Sequence, residues 1–178
     1  MNIRFHRISL KAFFVVLTST TFFAMLSLQG CLFKPRNKAS IPYQAVAVTG
    51  SASPTLLGEL QFDILTYIDV KVAISPKDAD LIVEIIQDAP ASQIASYSGT
   101  GQITGYDVND VVVFRAFDTS GNEIIPETQI YGVRDMNYSP HTVLSADLQQ
   151  QQMIADIRKE LALQIAFRLM ALGRPNRH

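Results

Sequence analysis

The sequence predicts an α+β domain, a two-layer sandwich in which two helices pack on one face of a mixed, mostly antiparallel sheet of about four strands. Three observations predict it. Apolar residues recur every three or four positions in two stretches, 57–68 and 148–169, which is the period of a helix with one buried face. Between them, residues 81–136 are rich in β-branched and aromatic side chains and are broken by turn-forming clusters at 98–101 and 118–122, the pattern of long hairpins. The resulting order of strand, helix, two hairpins and helix lets helices from opposite ends of the chain cover the same side of the sheet.

Taken in order, Tyr43–Val48 is a first strand closed by Thr49-Gly50-Ser51. A helix starts with Ser53 as N-cap and Pro54 at the first helical position, where a missing N–H costs nothing. Its inner face is Leu57, Leu60, Ile64 and Ile68, and Gly58 permits close packing at some loss of helix stability. Val70–Ile74 is either a short strand or the connection into the Ser75–Asp78 turn. Leu81–Ile86 is a strand, bent at Ala89-Pro90-Ala91 because proline has no N–H for the ladder, with pairing resumed over Gln93–Tyr97. After the Ser98–Gly101 turn, a strand runs from Gln102 to Phe117. Tyr106, Val108, Val112 and Phe114 share one parity and Val111, Val113 and Phe117 the other, so both faces are partly apolar. Asp118–Asn122 turns the chain into a return strand from Glu123 to about Met136. The last helix has Ser145 as cap and Leu148, Ile154, Ile157, Leu161, Ile165 and Leu169 inside. Gly173 stands where a left-handed residue ends a helix, and Pro175 prevents continuation.

The N-terminus carries an export signal: a basic start (Arg4, Arg7, Lys11), an uncharged run from Ala12 to Leu28, and small Gly30 before Cys31, the single cysteine. Leu28-Gln29-Gly30-Cys31 resembles the lipobox of bacterial lipoproteins, with Gln29 where that pattern has a small residue. On this reading residues 1–30 are a signal peptide and 31–42 a lipidated N-terminus and linker. A single domain follows over 43–173, then a disordered tail over 174–178. Two other readings of the segment stay open. A lone cysteine can be a buried thiol or an intermolecular disulfide partner. An uncleaved membrane anchor is the other, although Thr18-Ser19-Thr20-Thr21 interrupts a run already short of the ~20 residues a span needs. Leu32 stands where, by resemblance to bacterial lipoproteins, an aspartate would favour the inner membrane, so the expected location is the periplasmic face of the outer membrane.

Cleavage before Cys31 takes 30 residues from 178 and leaves 148, the size of one domain with a substantial core. The loss of three signal-peptide cations leaves 12 Lys and Arg against 16 Asp and Glu, so the domain is no general polyanion binder and nucleic acid is not an expected partner. With no second cysteine, the fold holds without disulfides. Chemistry is sparse. His141 and His178 are the only histidines beyond the signal, too few for a multi-histidine metal site, and a serine triad would rest on His141 alone. Asp78 with Asp80, and Asp107 with Asp110, are carboxylate pairs outside any calcium-loop pattern and read as solvated turn and strand-edge groups. No enzyme activity, cofactor or metal is expected.

Several stretches together resemble the LPS-assembly lipoprotein family LptE. They are Ile41–Val48 behind the lipobox, Lys77–Ile85, the hairpin core Ile94–Ile103 with Tyr106 and Val108 beyond it, Tyr131–Tyr138, and the helix around Met153–Arg158. The resemblance covers nearly the whole chain. It implies a non-enzymatic lipoprotein that plugs and helps assemble a lipopolysaccharide-translocating outer-membrane β-barrel, with that barrel as partner and lipopolysaccharide as a possible ligand. It also implies lipid attachment at Cys31. Members of the family contact lipopolysaccharide through basic residues near the strand hairpin. Here that hairpin, Ser98–Gly101, has no cation, and Arg115 and Arg134 on the following strands are the candidates. The alternative function is an auxiliary lipoprotein of a periplasmic lipid-transport system that binds lipid or a partner protein.

Overall fold

The computed structural model describes residues 37–139 and 143–173. Strand β1 is Ala45–Gly50, helix α1 Pro54–Tyr67, β2 Lys71–Ala73, β3 Leu81–Tyr97, β4 Ile103–Asp118, β5 Glu123–Asn137 and helix α2 Val143–Ala171. The strands form one sheet in the order β2-β1-β3-β4-β5. Strand β1 is parallel to both its neighbours, and β3-β4-β5 is an antiparallel meander. The α+β sandwich is therefore as expected, with five strands in place of about four. The extra one, β2, has three residues, too few for an alternation to register in sequence.

Helix α1 is capped as its sequence dictates. The Ser53 Oγ accepts from the Leu56 N–H at 3.3 Å, Pro54 follows, and the Ile68 N–H closes the last turn on the Ile64 carbonyl. Its buried stripe is Leu56, Leu60, Ile64 and Ile68, so Leu56 and not Leu57 starts the inner face. Gly58 lies on the outer side with open space around it and serves no close packing.

Strand β3 is continuous through Pro90. The irregularity expected there lies four residues earlier, where Ile85 pairs with Phe114 and Gln87 with Val113, leaving Ile86 as the bulge. Pro90 is tolerated because β1 covers β3 only as far as Ile85, so Pro90 sits where β3 has become an edge strand. The bulge also reverses parity. Leu81, Val83 and Ile85 face the helices before it, whereas Asp88 does so after it.

The core lies between the sheet and the two helices. Phe114, the largest fully buried side chain, comes from β4, and Val46, Leu81, Val108 and Val112 belong to the same core. From α2 come Ile157, Leu161, Ile165 and Leu169, all fully buried. Leu148, expected on this inner face, is 62% exposed. The buried side of the first turns runs through Ala146, Gln150, Met153 and Ile157 at helical spacing, which leaves Leu148 on the opposite side. Gly173 is not left-handed. It is required by close approach, since a Cβ there would collide with the Ser40 carbonyl. That contact belongs to a segment docked on the domain: Ala39 exchanges hydrogen bonds with Tyr67 and Asp69, and Ile41 enters the core.

Candidate functional site

Toward the β3–β4 turn the sheet narrows: β5 pairs with β4 as far as Gly105 and Asn137, and only the last residues of β3 and β4 project beyond it. Residues Ala91–Tyr97 are all exposed, and Tyr97 and Ile94 present large apolar surface to solvent. The tip is built from small hydroxyl residues. The Ser98 N–H donates to the Gln102 carbonyl at 2.7 Å, and the Ser98 Oγ accepts from the Thr100 and Gln102 amides at 3.3 and 3.2 Å. A tip whose side chains are hydroxyls and amides can hydrogen-bond a polar ligand but cannot neutralise a phosphate.

The two cations proposed from sequence lie on opposite faces of the sheet. Arg115 alternates with buried Phe114 and Ala116, so it points to the face without helices. There its Nε meets Glu84 Oε2 at 2.6 Å and its guanidinium sits 5.6 Å from the Phe117 ring centre. With Phe117, Gly121 and Glu123 it lines an open cavity of about 360 Å³. Arg134 lies on the helix side of β5, where its Nη2 meets Glu160 Oε2 of α2 at 2.6 Å. The structure does not bring the two together. Both pairs are half-exposed, so each contributes at most about 1 kcal/mol and either arginine can be drawn to another anion at small cost.

One constellation was not anticipated. Asp88 of β3, Asp110 of β4 and Arg158 of α2 meet beneath the helix layer, with side chains 2%, 0% and 15% exposed. The Arg158 Nε donates to Asp110 Oδ2 at 2.9 Å and to Asp88 Oδ1 at 3.2 Å, and its Nη2 donates to Asp88 Oδ1 at 2.9 Å. Asp88 Oδ2 accepts the Ser53 amide at the start of α1, at 2.7 Å. Asp110 Oδ1 is buried without a partner. Burial raises the Asp88 carboxyl, but hydrogen bonds from Ser53 and Arg158 and the Arg158 charge outweigh it and hold it below the usual carboxylate range. Asp110, buried and beside the Asp88 charge, is pushed up to about 6 against the pull of Arg158. Gly132 of β5 lies opposite Asp110 in the ladder and lets α2 come close, since a Cβ there would lie 2.7 Å from the Ile157 Cγ2. A sequence signal did exist: Asp110 shares the parity of Val108, Val112 and Phe114, a charge on the buried stripe.

The other candidates separate. Asp107 and Asp110 have opposite parity on β4, so they are not a pair, and Asp80 Oδ2 accepts the Gln44 amide. Among the described residues no group of three or more metal-ligating side chains is present. No helix among them is long and apolar enough to cross a membrane. Cys31 and His141 lie outside the described residues.

Among the described residues the candidate site thus comprises a sheet face without helices, an exposed β3–β4 tip and surface arginines held loosely by glutamates. The sequence profile of the LptE family, described as lipopolysaccharide-assembly, matches residues 43–169, and the chain belongs to that family. No curated protein matches the chain in sequence. Among solved structures, lipoprotein B from Nitrosomonas europaea is similar at 23% identity and a TM-score of 0.65, over 79% of this chain and 92% of that one. A minor lipoprotein from Acinetobacter baumannii is 20% identical with a TM-score of 0.62, over 74% and 93%. Rare lipoprotein B from Shewanella oneidensis is 19% identical with a TM-score of 0.59, over 72% and 94%. These likenesses establish a shared fold.

Proposed function

We propose that this chain is a non-catalytic lipoprotein, anchored through Cys31 at the periplasmic face of the outer membrane, that plugs and helps assemble the lipopolysaccharide-translocating β-barrel. The observation that carries this reading is the family match over 43–169, which spans the whole sandwich from β1 into the last turns of α2. The geometry supports it. A plug must offer packable surface on every side, and here the uncovered sheet face presents Tyr131, 68% exposed, and Val133, while α1 presents Phe62 and Leu65 outward. Size sets a condition on the partner. A domain of this length has a radius of gyration of about 14–15 Å. Barrels of 16–18 strands enclose only a channel and those of about 22 strands hold a plug, so the partner has at least about that many. Lipopolysaccharide contact is the secondary role. Arg115 and Arg134 can each exchange a glutamate for a phosphate, but their separation by the sheet makes them two weak contacts and not one clamp.

The test is recovery of the complex. Outer membranes solubilised in mild detergent and captured through a C-terminal tag on this chain should yield a heat-modifiable barrel protein in equal amount; capture of the lipoprotein alone contradicts the proposal. Cys31→Ser should release the domain from membranes or stall it as precursor, and unchanged processing and location would contradict the anchor.

A further inference from the structure

We propose that Asp88, Asp110 and Arg158 form a proton-operated latch that sets how firmly α2 is held on the sheet, closed when Asp110 carries a proton and strained when it does not. The stoichiometry requires it. One guanidinium lies between two buried carboxylates, so with both ionised the cluster carries a net negative charge out of water, and a single proton balances it. The hydrogen bonds say which carboxylate takes that proton. Asp88 has both oxygens satisfied, by Arg158 and by the Ser53 amide. Asp110 has one oxygen on an Nε–H that it shares with Asp88, and the other has nothing.

Arg134, two residues along β5 from Gly132 on the same face, is already held by Glu160 of α2 and so does not compensate. Helix α2 presents Arg158 and β3 presents Asp88. The start of α1 presents an amide already used by Asp88, and β5 presents Gly132 opposite Asp110. The next residue of α2 repeats the arrangement. Asp63 of α1 is 7% exposed, its Oδ2 is buried without a partner, and Lys159 is the cation whose charge acts on it. Burial and the Glu59 charge raise the Asp63 carboxyl against Lys159. Two incompletely satisfied carboxylates therefore flank one turn of α2, and both relax on protonation.

The sign follows from linkage. A carboxyl raised from 3.8 to about 6 contributes stability that is fully present below 3.8 and lost as pH rises through about 6. Asp88, shifted the other way, contributes stability that is lost only as pH falls below its ordinary value, so it does not cancel the effect at mildly acid pH. Between pH 5 and 7.5 the Asp110 shift corresponds to roughly a ten-fold loss in the closed-to-open ratio.

Hydrogen exchange on the full chain in detergent reads this directly. After correction for intrinsic rates, α2 residues 153–169 should be about ten-fold better protected at pH 5 than at pH 7.5, with β4 changing less. In Asp110→Asn most of the pH dependence should be lost, Asp63 leaving a small remainder, with α2 at pH 7.5 protected about as in the parent at pH 5. Equal protection at both pH values in the parent, the same pH dependence in Asp110→Asn, or an equal change in β4 would each overturn the latch. If Asp110→Asn does not fold, the carbon-13 titration of the Asp110 carboxyl in the parent decides. A midpoint near 6 supports the latch, and one below 4.5 overturns it.

Discussion

Replacing Arg158 with methionine keeps most of the side chain's length and removes its charge, and the consequence can be worked from the site. Three hydrogen bonds are lost, of 2.9, 2.9 and 3.2 Å, and the two carboxylates that received them remain almost fully buried. Breaking a buried ion pair by removing one partner typically costs about 3–5 kcal/mol, because the orphaned charge stays out of water. That is a large share of the ~5–15 kcal/mol that holds an ordinary domain together. With a urea dependence of about 2 kcal/mol per molar, the unfolding midpoint at pH 7 should fall by about 2 M. The variant also has a pH signature. Without Arg158, Asp88 loses its two hydrogen bonds from the guanidinium and keeps Ser53, and Asp110 loses the one it receives from the guanidinium, so both titrate higher in the folded state. Groups raised above their unfolded value destabilise at neutral pH and cease to do so as they protonate. The gap between Arg158→Met and the parent should therefore narrow as pH falls from 7 to 4.5. Circular dichroism through a urea series at both pH values is the assay. A midpoint change under about 0.5 M at pH 7, or a gap that does not narrow on acidification, would refute the reasoning.

Other substitutions probe separate parts of the account. Gly58→Ala should raise stability by up to about 1 kcal/mol, since it replaces a poor helix former in open space; a fall in Tm would mean that space is occupied in the folded protein. Gly132→Val should cost about 1–3 kcal/mol by forcing β5 and α2 apart at Ile157, read as a drop in Tm. Arg115→Ala should change Tm little, because the Glu84 pair is half-exposed and worth at most about 1 kcal/mol. If Arg115 touches lipopolysaccharide, the same variant should weaken its co-purification with the glycolipid while the barrel is still recovered.

Much of the fold could be read from the residues alone, wherever one local pattern decides. Ser53-Pro54 fixed the start of α1, the Asp118–Asn122 cluster fixed the β4–β5 turn, and the four-residue rhythm of Ile157, Leu161, Ile165 and Leu169 fixed the buried face of α2. What failed depended on partners distant in sequence. Leu56 rather than Leu57 faces inward because packing against β2 and against α2, distant in sequence, sets the rotation of α1. Leu148 faces outward because, among the described residues, nothing covers that side of the first turns of α2. Pro90 suggested a bend, yet its tolerance follows from where β1 stops, which no local pattern encodes. The buried cluster was hidden for the same reason. Its members are 48 and 70 residues apart, and Asp88 reaches the helix side only because the Ile86 bulge reverses the parity that Leu81, Val83 and Ile85 establish. Arg115 and Arg134, by contrast, were visible as isolated cations on strands, but which face each takes required the register.

The most direct test of a plug is whether it is surrounded. A photo-reactive residue placed at Tyr131, on the uncovered sheet face, and separately at Phe62, on the outer side of α1, samples opposite sides of the domain. In intact outer membranes both positions should cross-link to the same large β-barrel protein, because a lumen encloses the domain. Cross-linking from one side only would mean that the domain docks against its partner from outside, and the account would be wrong.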